Sequence, residues 1–338
     1  MLSERGLARL GLAAGLVVAL TLPLVLYPVL ALEIVTWGLF AVALDLLLGF
    51  VGVLSFGHAA FWGAGGYGAG ILARSLGLSF PVAVLAGVLL AILLAVPFGF
   101  LSIRRRGIYF AMVTLALSQL VYYLANEWRP VTGGENGVQA IPRTLGSLEL
   151  SDARTFYYAA LPLLLLGFWI AYRAVHSPFG HVLVAIRDNE ARAQALGYPT
   201  RTYKLVAFVL SAGLSALAGA LFTLGHSFAS LDLVDWRTSG QVVIMTILGG
   251  MGTLWGSVLG AALFLLLRDW LSTYTDAWGV ITGAVFVLIV LAFRRGLWGS
   301  LLLAAQRRRA GLALERPGAA VISETPTVQA TPEPESLA

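Results

Sequence analysis

Residues 177–204 read SPFGHVLVAIRDNEARAQALGYPTRTYK, a polar stretch in a chain that is otherwise almost wholly apolar. The fold follows from that contrast. Of 338 residues, 59% are hydrophobic and only 12% charged, and apolar runs of about twenty residues recur on both sides of the stretch. A run of that length spans a bilayer as a helix, and inside lipid only helices and closed barrels satisfy their own backbone. The expected class is therefore an all-α polytopic membrane protein, and the polar stretch is where it meets water-soluble material.

Within the stretch a short helix is expected. Asp188 or Asn189 can cap its first amides, Glu190 suits its positive end, and Gly197 can take the left-handed backbone that closes it. The alternation of Ala with polar residues also fits a strand of period two, but Ala, Glu, Arg, Gln and Leu all favour helix. Ala191 and Ala195 lie four apart, as do Ala193 and Gly197, so much of the helix surface is small. From these residues alone, a helix that docks in a groove and a solvated connecting loop both remain open.

Outward from it, ten crossings are expected, at 10–32, 35–54, 55–73, 81–102, 107–126, 156–175, 204–224, 238–253, 255–271 and 277–293, with a polar loop at 127–155. No small-x-small site precedes Glu33, so the first span is read as retained. Both termini and residues 177–204 then share one side. That side carries Arg5, Arg9, the arginines at 104–106, five basic residues between 173 and 204, and six between 294 and 316, together 16 of the 22 Lys and Arg. By the positive-inside rule it is the cytoplasm. The transmembrane domain is 1–295, and the tail 296–338 is basic at first and then disordered, with four prolines among Ser, Thr and Glu. Leu48-Gly49-x-x-Gly52-x-Leu54 recurs as Leu248-Gly249-x-x-Gly252-x-Leu254, which suggests a parallel internal repeat of two four-helix blocks.

No Walker A motif is present and the sole lysine, Lys204, follows Tyr203, so this chain has no expected nucleotide site. Without cysteine, HExxH, GxSxG or paired intramembrane carboxylates, an enzyme is not expected. Asp45 is read as the one acid well inside a span, either a functional group or a tie between helices. His58, in Ser55-Phe56-Gly57-His58, follows a glycine-rich break and is either a packing residue or exposed to a cavity. Gly63, Gly65, Gly66, Gly68 and Gly70 indicate close helix packing.

Five blocks carry a resemblance: LDLLLGFVGVLSFGHAAFWGAGGYGAGILA, RRRGIYFAMVTLALSQL, VTGGENGV, SPFGHVLVAIRDNEARAQALGYPTRTYKLVAFVLSAGLSALAGAL and ILGGMGTLWGSVLGAAL. In this order, over roughly 35–295, the chain resembles the LivM-type permeases of bacterial branched-chain amino-acid ABC importers. The resemblance implies a multi-pass inner-membrane subunit translocating branched-chain or related amino acids. Its partners would be a related second permease, two ATP-binding subunits that hold ATP and Mg, and a solute-binding protein. No cofactor sits in this chain itself. It also implies that 177–204 couples to the ATPase through Arg187, Asp188, Asn189, Glu190, Ala191 and Gly197, while Asp45, Ser55 and His58 lie near a candidate translocation path. Asp45 stands where the family usually has Asn, and Val53 where it usually has Gln, which leaves the substrate open. The alternatives are an ion- or proton-coupled secondary transporter, resting on Asp45, and a structural membrane anchor, which the glycine-broken spans oppose.

Overall fold

The computed structural model describes residues 4–145, 148–292 and 296–300, all within one compact unit that spans 1–300. The arginines at 294 and 295 and the tail from 301 onward lie outside the described residues. Ten helices stand where the ten apolar runs are: α1 (Glu4–Val25), α2 (Pro28–Asp45), α3 (His58–Leu76), α4 (Phe80–Ser102), α5 (Ile108–Glu127), α7 (Ala153–Val175), α10 (Thr200–His226), α11 (Trp236–Gly249), α12 (Leu254–Tyr274) and α13 (Trp278–Ala292). Three short helices, α6 (Arg129–Thr132), α8 (Pro178–Asp188) and α9 (Glu190–Ala195), lie between them, and the strands β1 (Thr144–Leu145) and β2 (Leu148–Glu149) pair antiparallel. Among the described residues, six helices are long and apolar enough to cross a membrane: α2 with its extension to Val51, α4, α5, α7, α10 and α12. The protein is thus all-α and polytopic, with one two-stranded ribbon.

The first expected boundary falls elsewhere. The run 10–32 is not one span, because α1 ends at Val25 and α2 begins at Pro28. Tyr27 is extended (φ −64°, ψ 143°), and Pro28, which lacks an amide hydrogen, fits the first turn of a new helix. Glu33 therefore sits inside α2 rather than between spans.

Helix α2 is largely apolar and almost wholly buried, so it forms the axis on which α7, α10, α11 and α12 pack. Its Trp37 and Phe40 meet Trp62 of α3, with the Phe40–Trp62 ring centroids 4.5 Å apart, and Phe222 of α10 completes the aromatic cluster. The glycines of α3 do pack closely. A side chain on Gly65 would strike the Ala216 backbone of α10, and one on Gly87 of α4 would meet the Gly65 carbonyl. Lipid supplies no hydrophobic drive between helices, so such backbone approach is what holds α3, α4 and α10 together.

After Asp45, α2 widens into a π turn, Leu46–Val51, that ends at Gly52 with φ +81°. Helix α11 ends without a π turn, at Gly250 with φ +119°, and Gly252 after it has φ +74°. The two LGxxG copies also touch, since a side chain on Gly49 would overlap Gly252 and the Asp45 carboxylate.

Candidate functional site

Residues 177–204 form two helices, α8 and α9, folded against the start of α10. Pro178 opens α8 and one of its faces is apolar: Leu183 and Ile186 are buried, and Phe179 stacks on Tyr203. The spacing Phe179, Leu183, Ile186 is i, i+4, i+7, the signal by which this helix could have been found in the sequence. The expected short helix is α9. Asn189, rather than Asp188, caps it by accepting from the Arg192 amide at 2.9 Å, and Gly197 follows with φ +89°.

Two anchors fix this hairpin to the membrane helices. Arg187 donates from Nη1 to the Gly49 carbonyl at 2.6 Å, reaching the π turn below α2, and also pairs with Asp188 at 3.2 Å. Glu190 accepts from Lys204 at 2.7 Å and forms an ion pair with Arg106, in the α4–α5 loop, at 3.3 Å, while the Thr200 hydroxyl donates to it at 3.3 Å. Burial acts to raise the Glu190 pKa, but Lys204, then Arg106 and Thr200, outweigh it and hold the carboxyl below its ordinary value.

Glu190 therefore faces the chain itself, whereas Asp188, Asn189, Ala191, Arg192 and Gly197 face outward and Ala193 is buried. Leu196, 71% exposed, stands beside exposed Tyr198 at the tip. The sequence marks Lys204 as its sole lysine and Arg106 as part of a basic run, but nothing local in it pairs either with Glu190.

Asp45, Ser55 and His58 are all fully buried. Asp45 Oδ1 accepts from the Gly252 amide at 2.8 Å and so ties α2 to the α11–α12 turn. His58 bridges the Ser55 hydroxyl at 2.9 Å and the Ser211 hydroxyl of α10 at 2.8 Å, and Ser211 in turn donates to the Ala43 carbonyl of α2. Asp45 and His58 are thus engaged in contacts between helices, and Ser55 joins them only through His58.

At the far end, opposite α8 and α9, lies a charged cluster that sequence reading missed because Glu33 was placed at a span boundary. Glu33 accepts from Arg268 of α12 at 2.5 Å and meets His226 of α10 at 3.2 Å; Tyr27 hydrogen-bonds Asp269 beside it. No group of three or more His, Cys, Asp or Glu suited to a metal exists among the described residues.

A bundle of long apolar helices with a braced polar hairpin at one end defines a polytopic membrane protein. The family profile described as branched-chain amino acid transport system / permease component matches residues 28–290, and the chain belongs to that family. It is 30% identical over 278 residues to the high-affinity branched-chain amino acid transport system permease protein LivM of Escherichia coli K12, and 30% identical over 282 residues to LivM of Salmonella typhimurium. Each alignment covers 75% of this chain and 65% of the relative, so the match spans less than two thirds of those proteins' length. The autoinducer 2 import system permease protein LsrC of Salmonella choleraesuis is 29% identical over 192 residues, 55% of this chain and 53% of that one. No solved structure matches.

Proposed function

We propose that the chain is the membrane-spanning permease subunit of an ATP-driven importer, in a bacterial inner membrane, for branched-chain or related amino acids. The observation that carries this reading is the α8–α9 hairpin, a polar unit anchored at Arg187 and Glu190 that presents Arg192 and Leu196 outward. An ATP-binding subunit would dock there, and its movement would pass through Arg187 to the π turn at Gly49, and thence to Asp45 and the α11–α12 turn. The chain supplies no bond-breaking chemistry; it supplies two shapes whose relative stability the ATPase shifts.

The topology that fits is ten crossings with both termini and the hairpin inside, arranged as a parallel repeat, α11 and α13 being the short crossings. A second related permease, two ATP-binding subunits and a solute-binding protein complete the assembly. The names of the LivM relatives support the substrate class, and the LsrC relative shows that related permeases serve another solute. Ion coupling finds less support, because Glu33 is paired within the chain and Asp45 bonds the Gly252 amide through Oδ1, leaving only its buried Oδ2 without a hydrogen bond.

The test is uptake of labelled leucine, isoleucine or valine into proteoliposomes holding this chain, with and without ATP-binding subunits and ATP. Uptake only with both supports the reading. Uptake by the chain alone down an ion gradient contradicts it.

A further inference from the structure

The 3-10 turn Leu231–Leu233, at the far end between α10 and α11, touches α3, α5 and α11 at once. It comes that close because α3 has no side chains in the way: a Cβ on Gly63 would run into Val234, and one on Gly66 would crowd Leu233. One residue further along α3 is Tyr67, only 5% exposed, whose hydroxyl is buried without a hydrogen-bond partner. It lies within electrostatic reach of Asp232, on the turn, and of Tyr122, on α5. Asp232 is exposed, and among the described residues its carboxylate accepts only from Ser230, at 3.3 Å, and pairs with no cation.

The neighbouring helices carry further unmet polarity. On α5, Gln119 lies one turn before Tyr122 and about 12 Å before the helix end; on α11, Gln241 lies about 7.5 Å past its start. Both are half-buried, and neither makes a hydrogen bond among the described residues. The other flank of α5, with Leu120 and Leu124, is exposed and apolar and suits lipid. A glutamine amide within a span avoids lipid and faces protein or a wet path.

We propose that Asp232, Tyr67 and Tyr122 form an entrance site for the ammonium group of an α-amino-acid solute, with the amides of Gln119 and Gln241 as the next hydrogen-bonding groups inward. An exposed carboxylate with no cationic partner, on a turn that touches the helices bearing the two phenols, suits a primary ammonium, which brings three donors and a positive charge. The solute's identity rests on the importer reading above; the acidic, aqueous character of the entrance does not.

The chain has no cysteine, so single cysteines report cleanly. In the reconstituted complex, Tyr122→Cys and Gln119→Cys should react with membrane-impermeant thiol reagents, while Leu120→Cys should not. A cationic reagent should react about ten-fold faster than an anionic one of equal size, and Asp232→Asn should bring that ratio close to one. Asp232→Asn should also lower uptake about ten-fold at low solute by raising KM, with Asp232→Glu close to wild type. Equal rates for the two reagents, or normal uptake by Asp232→Asn, would overturn the site. So would uptake restored by excess solute-binding protein, which would make Asp232 a docking residue. Charge-biased labelling in a complex that shows no ATP-dependent uptake would leave the entrance standing and remove the importer reading instead.

Discussion

The two ends of α10 are each tied down by a glutamate, and the ties differ in kind. At its start, Glu190 links Lys204 and Arg106 and holds a hairpin whose outer face is open. At its end, Glu33 links Arg268 and His226 and joins three membrane helices side on, α2, α10 and α12. Loss of the first frees a hairpin; loss of the second leaves a charge stranded among helices. The comparison teaches that one glutamate braces a hairpin whose outer face stays exposed, while the other joins membrane helices to one another.

The largest effect should follow from breaking the far tie. Arg268→Leu leaves Glu33, whose side chain is 16% exposed, with only His226 and should cost about 2–4 kcal/mol, the lower part of that range reflecting partial exposure. Thermal unfolding in detergent should show a clearly lowered midpoint and poor recovery of folded protein. An unchanged midpoint would mean the cluster is incidental.

Glu190→Lys comes next. It faces Lys204 and Arg106 with a like charge and should detach α9 while α2, α10 and α12 stay packed. Proteolysis within 189–198 should accelerate at a nearly unchanged unfolding midpoint. Acid should do the same reversibly. Because the folded Glu190 pKa lies below the ordinary 4.5, its contribution is fully present above that value and is lost as pH falls through the lowered native pKa. Protection of 189–198 that is indifferent to acid would contradict the tie.

A smaller effect is expected from Gly197→Val, since a β-branched residue at φ +89° is strained by about 1–2 kcal/mol even where nothing stands within 4 Å of a Cβ. Hydrogen exchange in α9 should quicken while that in α10 stays as it was. Equal exchange in the two proteins would show that the left-handed turn is not what ends the helix.

Much of this was legible in the sequence wherever the signal is local. Asn189 and Gly197 punctuate α9, and the apolar runs place the helices to within a few residues, except near Pro28, where an unbroken apolar run conceals a break between two helices. What stayed hidden is long-range. Glu190 reads locally as a first-turn acid, and only the fold brings Lys204 and Arg106 to it. Asp45 reads as either a functional acid or a tie between helices, and only the fold supplies its partner, a backbone amide 207 residues away. Tyr67, Asp232 and Gln241 carry no motif at all. They become notable only because glycines on α3 admit the turn that holds Asp232.

The smallest effect on the chain itself should come from Leu196 and Arg192, whose side chains are open to solvent, and it is there that the central claim is tested most directly. The measurement is ATP hydrolysis by the purified complex with and without loaded solute-binding protein, alongside uptake, for the double variant Leu196→Ser, Arg192→Glu. If the hairpin is the docking surface, the membrane subunit keeps its unfolding midpoint, while stimulation of hydrolysis and uptake both fall at least ten-fold, since a few residues carry most of the binding energy of an interface. Full stimulation and normal uptake by a variant with that tip reversed would show that α8 and α9 only connect two spans.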